Sequence, residues 1–167
     1  MPVSDQGLSL ERYTCIPRTL IFLVRDDMVL LLKGAPTKRI WANKYNGVGG
    51  HVERGEDLVS AAKRELGEET GLSADLSLIG TLMVDVEPTT GICVYVFLGE
   101  NIEGQLCSSE EGLLEWLSVD ALDSYPLVED VAVLLGRIRS MDADDPPFSA
   151  RSFYNEQQKL VVVFGEV

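Results

Sequence analysis

Glu65, Glu68 and Glu69 lie three and four positions apart in a segment whose pattern predicts a helix. Residues at this spacing are neighbours on a helix surface, so the three carboxylates share one acidic wedge of it. Like charges this close repel each other, and a bound cation offsets the repulsion. Hard divalent cations such as Mg²⁺ and Mn²⁺ prefer carboxylate oxygens, which makes the wedge a candidate metal site. The three residues by themselves also allow a solvated acidic face with no ligand.

The helix that carries these glutamates is predicted to follow Asp57 and to end before Gly71. Asp57 is a favourable N-cap residue, and glycine is the residue that most often adopts the left-handed conformation that ends a helix. No proline interrupts the segment between them. Its apolar residues recur with helical period and are expected to pack on a sheet; they are Leu58, Val59, Ala62 and Leu66.

The residues around this helix form a longer pattern. Glu56 follows Gly50 after five residues, and after seven more the chain reads Arg64-Glu65-Leu66-Gly67-Glu68-Glu69-Thr70-Gly71-Leu72. The pattern resembles the complete signature of the Nudix hydrolase family, with every defining position filled. This resemblance implies the Nudix fold, in which the signature forms a loop, a helix and a loop. It also implies metal-dependent attack of water on a phosphorus atom of an organic diphosphate.

The resemblance assigns metal ligands by position in the signature. Glu65 and Glu69 are expected to be the principal ligands, with Glu68 as a third ligand or as an orienting group. The carbonyl oxygen of Gly50 and the carboxylate of Glu56 are expected to complete or support the metal shell. The implied cofactor is Mg²⁺ or Mn²⁺.

Catalysis also needs ordered carboxylates and a base that accepts a proton from water. Arg64 lies beside the acidic wedge and is expected to hold a carboxylate through a bidentate pair. In the family the base comes either from the helix or from a later loop, so the resemblance leaves Glu65 and Glu111 as candidates. Glu110, one position earlier, is the alternative to Glu111 for the acid of the later loop. Glu68 is also expected to be a catalytic residue.

Residues outside the signature are expected to choose the substrate. Asn46 resembles the base-reading Asn of the MutT-like group, which removes oxidised purine nucleoside triphosphates, and an Asn presents both a donor and an acceptor to a purine edge. Glu129 and Asp130 resemble the paired acids that read the base in animal members of that group. The chain departs from the group in two ways: the first acid is Glu rather than Asp, and residues 83–86 include no aromatic suited to stack on a base.

The loop predicted over residues 34–44 is rich in basic residues and leads into a glycine-rich turn. Lys33 at its border and Lys44 at its end are therefore expected to contact the phosphates of the substrate. Solubility is the other role that such a loop serves.

The resemblance leaves three activities open. The residues favour hydrolysis of a nucleoside triphosphate to a monophosphate and pyrophosphate, with a preference for oxidised purines of the 8-oxo-dGTP type. The same signature serves Nudix hydrolases of other nucleoside diphosphate-linked compounds, such as sugar nucleotides and dinucleotides. A non-catalytic nucleotide-binding Nudix sensor is the third, but such proteins are expected to lose carboxylates from the helix, and this sequence keeps them.

The composition bounds the partners and the location. A net charge of −13 disfavours nucleic acid and anionic membranes, which need basic patches, so the expected partner is a small-molecule nucleotide. Residues 2–11 lack the basic start and apolar core of a signal peptide, and no apolar run is long enough to cross a membrane, so a cytoplasmic location is expected. The three cysteines have no CxxC spacing and predict neither a disulfide framework nor a zinc site. The composition does not indicate the oligomeric state.

The 167 residues suffice for one domain, expected over residues 13–167 after a polar segment at 1–12. A second helix is predicted at 128–141, and strands are predicted at 13–24, 28–32, 76–86, 92–98, 113–117, 148–154 and 159–164. Pro17 lies inside the first of these, although proline suits only a strand start or an edge. Strands before, between and after two helices predict an α/β or α+β domain. The resemblance specifies this further as the Nudix fold, an α+β mixed sheet sandwiched between helices.

Overall fold

The computed structural model describes Gly7 and residues 12–107 and 111–165. The predicted polar segment at 1–12 therefore lies outside the described residues, apart from Gly7 and Arg12, and so does Glu110. Over the described residues the chain forms eight β-strands and two α-helices. The strands are β1 Thr14–Arg25, β2 Met28–Gly34, β3 Tyr45–Asn46, β4 Leu72–Asp85, β5 Thr90–Gly104, β6 Gly112–Ser118, β7 Phe148–Tyr154 and β8 Leu160–Phe164; the helices are α1 Leu58–Thr70 and α2 Val131–Arg139.

One mixed sheet contains all eight strands. Seven of them lie in the order β3-β2-β1-β5-β4-β7-β8, and β6 pairs with β2 outside this path. The β1–β5 and β4–β7 pairs are parallel, whereas the other pairs are antiparallel. The hairpin pairs β1–β2, β4–β5 and β7–β8 are antiparallel because a short turn reverses the chain. Long connections join the two parallel pairs and the antiparallel β2–β6 pair.

Both faces of the sheet are covered. Successive residues of a strand point to opposite sides, so one strand contributes side chains to both cores. In β1, Ile21 and Leu23 belong to a core that includes Ala62 and Leu66 of α1. Phe22, between them, belongs to a second core that includes three side chains of α2, namely Val131, Leu134 and Leu135. The sheet therefore lies between the two helices, which confirms the predicted sandwich.

Pro17 lies where β1 has a strand on one side only. β1 pairs with β5 from Thr14 to Leu23, but its pairing with β2 begins at Leu23. On the open side the Val52 amide donates to the carbonyl of Pro17 at 3.1 Å. The nitrogen and the carbonyl of one strand residue point to the same side, so the missing amide hydrogen removes no bond to β5.

Three local expectations need correction. Val59 is 42% exposed and belongs to neither core, whereas its neighbour Leu58 packs against the core that includes Ala62 and Leu66. α2 begins at Val131 rather than at residue 128, and Val128 is buried in the segment before the helix. β4 begins at Leu72, directly after the helix cap, rather than at residue 76. In the described part of the chain, no helix is long and apolar enough to cross a membrane.

Candidate active site

The glycine segment, residues 46–51, lies along β1. Ile21 and Val48 exchange two backbone hydrogen bonds of 2.6 and 3.1 Å. Gly49 has a φ of 145°, and a Cβ there would overlap the backbone carbonyl of Thr19. Only glycine tolerates this conformation and this close approach, which is the physical reason for glycine at that position.

Both predicted caps of α1 are present. Asp57 accepts hydrogen bonds from the amides of Val59 and Ser60 at 2.9 and 3.0 Å. At the other end Gly71 has a φ of 72°, the left-handed conformation expected of a C-cap. The helix therefore begins and ends at defined residues, and the packing of Ala62 and Leu66 on the sheet fixes which way the acidic wedge faces.

Glu65 and Glu69 are the wedge carboxylates that meet the glycine segment. An oxygen of Glu69 accepts a hydrogen bond from the Gly49 amide at 3.1 Å. The carboxylate of Glu65 lies so close to Gly50 that a Cβ on that residue would stand 2.5 Å from it. The side chain of Glu68, by contrast, is 62% exposed. The wedge therefore presents two carboxylates, rather than three, to the glycine segment.

Arg64 makes a bidentate pair, and the carboxylate that it holds is Glu56. Its Nε and Nη2 donate to the two Glu56 oxygens at 2.7 and 2.9 Å. Its Nη1 donates to Glu65 at 2.8 Å and to Glu68 at 3.2 Å. The Arg64 guanidinium, followed by a backbone hydrogen bond from Glu53, lowers the pKa of Glu56 to about 2. One guanidinium thus orders three carboxylates around the start and the middle of α1.

The pKa of Glu69 is raised to about 7, first by burial and then by the charges of Glu65 and Glu111. The amide of Gly49 and the ammonium of Lys38 act in the opposite direction and lower it. A buried carboxylate with acidic neighbours is destabilised in its ionised form, and a bound cation would relieve that cost.

Asn46 and Asp130 approach each other because β3 joins the segment before α2. The Tyr45 carbonyl accepts a hydrogen bond from the amide of Val128 at 2.9 Å. This bond connects the strand that carries Asn46 to the turn that ends at Asp130, the N-cap of α2. Burial raises the pKa of Asp130, and the charge of Glu129 adds to the shift.

A cavity of about 480 Å³ contains both groups of residues. Its charged and polar lining includes Arg18, Asn46, His51, Glu65, Glu69, Glu111 and Asp130. Its apolar wall comes from β1, β4 and β5 and consists of Leu20, Leu82, Val84, Ile92 and Val94. An apolar cleft with a few convergent polar groups is the usual form of a small-molecule site.

The glycine segment sets the distance between Asn46, near Asp130, and His51, which follows Gly50 at the other end of the segment. Backbone bridges pair Ile21 with Val48 and Arg18 with His51, so residues 48–51 run beside β1 in extended form. Asn46 precedes them at the end of β3, which is extended as well and pairs with β2. At about 3.3 Å per residue, Asn46 and His51 stand roughly 16 Å apart along the glycine segment. A ligand that touches both must be an elongated molecule.

The structure brings half of the predicted site residues to the cavity. The lining includes Asn46, Gly50, Glu65, Glu69, Glu111 and Asp130, whereas the lining does not include Glu56, Arg64, Glu68, Glu129, Lys33 or Lys44. Glu129 accepts a hydrogen bond from the Tyr154 hydroxyl at 2.7 Å. The ammonium of Lys33 lies 5.4 Å from the centre of the Tyr45 ring. These two side chains are therefore engaged outside the cavity.

Several cavity residues are absent from the sequence-based prediction. Arg18, His51 and Trp41 line the cavity. Lys38, one of the basic residues of the loop predicted over residues 34–44, lies outside the lining and makes an ion pair with Glu111. Trp41 adopts a φ of 62° and is 46% exposed. It supplies an aromatic ring from the loop before β3, although residues 83–86 offer none. A tryptophan in a basic, exposed loop is the one signal in the sequence that points to it.

The family model of the NUDIX domain matches residues 16–137. The chain belongs to the NUDIX family. Its signature lies on the loop before α1 and on α1 itself, but the second loop that the resemblance implies is reduced to the Gly71 cap, because β4 begins at Leu72. The mixed sheet between helices is the arrangement expected of a Nudix hydrolase.

Relatives of this Nudix hydrolase include two vertebrate oxidized purine nucleoside triphosphate hydrolases. An oxidized purine nucleoside triphosphate hydrolase of Danio rerio is 37% identical over 106 residues, which cover 62% of this chain and 67% of that protein. One of the same description from Mus musculus is 31% identical over 138 residues, covering 75% of this chain and 87% of that protein. In fold, the crystal structure of a MutT protein from Bacillus halodurans matches 89% of this chain and 97% of its own, with a TM-score of 0.72 and 23% identity.

Nudix family members generally use a divalent metal ion, and the residues of this site fit one. Within residues 12–107 and 111–165, no three acidic, histidine or cysteine side chains are grouped closely enough to hold a metal by themselves. Glu65 and Glu69 nevertheless flank Gly50, whose carbonyl accepts one hydrogen bond from the Thr19 amide and keeps a second lone pair. Two carboxylates with a few further oxygens, completed by substrate phosphates and water, match the way that Mg²⁺ binds to proteins.

Proposed function

We propose that this Nudix hydrolase converts a nucleoside triphosphate into a monophosphate and pyrophosphate, and that it prefers oxidised purine nucleotides of the 8-oxo-dGTP type. One observation carries the proposal: a single cavity contains Asn46 and Asp130 together with Gly50, Glu65 and Glu69. The first two suit the edge of a purine, and the other three suit a metal-bound phosphate chain. The vertebrate relatives named for oxidized purine nucleoside triphosphates support the same substrate class.

Asn46 and Asp130 are the proposed base-reading pair. The Oδ1 of Asn46 accepts a hydrogen bond from the Gly47 amide at 2.8 Å, which orients the side chain and leaves its NH2 group for a ligand. Burial and the charge of Glu129 raise the pKa of Asp130, whose carboxyl group accepts hydrogen bonds and also donates one whenever it is protonated. Together they present the mixture of donors and acceptors that a purine edge requires. The apolar wall of the cavity covers the faces of the base.

Glu65, Glu69 and the Gly50 carbonyl are proposed to hold a Mg²⁺ or Mn²⁺ ion. When bound, the ion neutralises phosphate charge and lowers the pKa of its water. Arg64 orients Glu65 through its 2.8 Å hydrogen bond, and Glu56 holds Arg64 from the other side. The bidentate pair therefore positions the metal site without lining the cavity.

Glu111 is the proposed general base. Its side chain is half exposed and lines the same cavity as Glu65 and Glu69, so it can reach a water molecule at the phosphate chain. Glu65, the other candidate, has an oxygen committed to Arg64, which suits a fixed metal ligand better than a group that accepts a proton. The ion pair with Lys38 holds Glu111 at the cavity.

The other predicted residues keep more limited roles. Glu68 shares the Nη1 of Arg64 and is proposed to orient that guanidinium rather than to bind metal. Contacts of Glu129, Lys33 and Lys44 with the substrate stay predictions. We further propose that residues 13–167 act as one cytoplasmic domain on small-molecule nucleotides. The three cysteines are free, as in most proteins of a reducing compartment.

A nucleotide panel tests the proposal. The protein is incubated with Mg²⁺ and with dGTP, 8-oxo-dGTP, other purine triphosphates, sugar nucleotides and dinucleotides, and the products are separated by chromatography. We expect pyrophosphate and a monophosphate, with kcat/KM for 8-oxo-dGTP at least about tenfold above that for dGTP. Hydrolysis confined to sugar nucleotides or dinucleotides, or no hydrolysis at all, would overturn the proposal. Glu69→Gln should abolish turnover, and Glu156→Gln, in the exposed β7–β8 turn, is the matched control.

A further inference from the structure

Arg18 and His51 form a pair at the cavity that the proposed chemistry does not use. Arg18 lies on β1, and His51 directly follows Gly50 at the end of the glycine segment. A backbone bridge pairs the two residues, and the Nε of Arg18 donates to the Nε2 of His51 at 3.2 Å. Both side chains line the cavity that also contains Glu65 and Glu69. The guanidinium is therefore held beside the proposed metal site.

Arg18 is the one lysine or arginine in the lining that the structure describes. The other charged side chains of the lining are acidic, namely Glu65, Glu69, Glu111 and Asp130. In residues 12–107 and 111–165 no carboxylate lies within ion-pair distance of Arg18, and no acceptor meets its two terminal nitrogens. In a chain with a net charge of −13, a guanidinium with open donors indicates a site for an external anion.

The length of the glycine segment indicates which part of a nucleotide would meet this guanidinium. Asn46, the proposed base reader, stands roughly 16 Å from His51 along the extended segment. A nucleotide whose base contacts Asn46 therefore presents its phosphate chain, rather than its sugar or base, at Arg18. The planar fork of an arginine matches two phosphate oxygens at once.

We propose that Arg18 binds the terminal phosphates of the nucleoside triphosphate, the part released as pyrophosphate, and that His51 is a positioning residue that orients the guanidinium. This inference rests on the proposed function, because it assigns a subsite within the same cavity. It predicts that Arg18 distinguishes a triphosphate from a monophosphate, whereas Asn46 and Asp130 act on both alike.

Isothermal titration calorimetry in Mg²⁺ buffer, with inorganic pyrophosphate and dGMP as separate probes, tests the inference. Arg18→Ala should weaken pyrophosphate binding by about 10- to 100-fold and dGMP binding by less than about threefold, because a charged hydrogen bond to phosphate is lost. Arg25→Ala removes the same charge from the same strand, where the guanidinium lies 4.6 Å from the centre of the Trp116 ring, and should change neither affinity by more than about twofold.

Arg18→Lys keeps the positive charge but lacks the planar fork, so its affinity for pyrophosphate should lie between those of wild type and Arg18→Ala. This variant also provides a test if the alanine variant fails to fold. Equal weakening of both probes by Arg18→Ala, an equal effect of Arg25→Ala, an unchanged Arg18→Lys, or no pyrophosphate binding to the wild-type protein would each overturn the inference.

A double-mutant cycle tests the role of His51. If His51 acts through Arg18, His51→Ala should weaken pyrophosphate binding less than Arg18→Ala does. The double variant should then bind no more weakly than Arg18→Ala alone, to within about twofold. Additive losses would refute the positioning role.

The inference and the proposed function fail separately. A protein that hydrolyses no nucleotide, but whose pyrophosphate affinity still depends on Arg18, loses the proposed function and keeps the subsite. A protein that hydrolyses 8-oxo-dGTP with the same KM in wild type and Arg18→Ala keeps the function and loses the subsite.

Discussion

Glu69→Gln should remove a pH-dependent destabilisation from the metal-free protein. The pKa of Glu69 is about 7 in the folded protein, against an ordinary value of 4.5. Between these values the folded protein binds more protons than the unfolded chain, so its stability falls as the pH rises. Protonated Glu69 therefore makes its full contribution to folded-state stability below pH 4.5, and this contribution is lost as the pH rises through about 7.

The size of the effect follows from the shift. One pKa unit corresponds to about 1.4 kcal/mol, so the shift of Glu69 amounts to about 3 kcal/mol between the two ends of the window. In a chain of this length that equals about 6–12 °C in melting temperature. Glu56 is shifted in the opposite direction, but its titration lies below pH 4.5. Asp130 is shifted upward and remains in the variant, so the difference between wild type and variant isolates Glu69.

Urea denaturation in EDTA at pH 5 and pH 8 measures the effect. The variant should gain about 2.5 kcal/mol relative to wild type on going from pH 5 to pH 8, less than the full shift because pH 5 already lies above the unfolded pKa of 4.5. Adding Mg²⁺ at pH 8 should stabilise wild type more than Glu69→Gln, because the ion binds the folded state through this carboxylate. Glu156→Gln should follow wild type at both pH values. Parallel pH dependences of wild type and Glu69→Gln would refute the reasoning.

Three further predictions concern single side chains. Arg64→Ala should lower kcat/KM by about 100-fold, because the carboxylates that Arg64 orders lose their positions. In an NMR titration of this variant the pKa of Glu56 should return from about 2 toward 4.5. Unchanged kinetics would contradict the positioning role. Gly49→Ala should lower the free energy of unfolding by more than about 3 kcal/mol in urea denaturation, because the new Cβ meets a backbone carbonyl of β1. Gly136→Ala in α2 has open space and should raise the free energy of unfolding by about 0.5–1 kcal/mol. Similar losses in both variants would exclude this explanation. Trp41→Ala should raise KM for a purine triphosphate by about tenfold with kcat within about twofold, because a stacking surface is lost; a fall in kcat alone in steady-state assays would rule out stacking.

Local elements were predictable because their causes lie within a few residues of each other. The caps at Asp57 and Gly71 and the period of α1 depend on backbone preferences and on 3.6 residues per turn. The hairpins were predictable for the same reason, since a short polar turn between apolar runs reverses the chain. The boundaries of helices and strands were less predictable. β4 starts at Leu72 because β5 extends to Gly104 and pairs with it, a partner that the local pattern does not show.

The sequence by itself determined the family and the chemistry of the signature, because those residues lie on one loop and one helix. Only the tertiary structure decided that Arg64 holds Glu56 and that Glu68 lies outside the cavity. It likewise decided that Arg18 meets His51, although 33 positions separate them in the chain.

The physical reason is sheet order and register. Residues far apart in the chain meet only when the glycine segment lies along β1 and β3 joins the turn before α2. No local preference specifies either pairing, so the acidic wedge of α1 could be recognised from spacing, while the cavity that it faces could not.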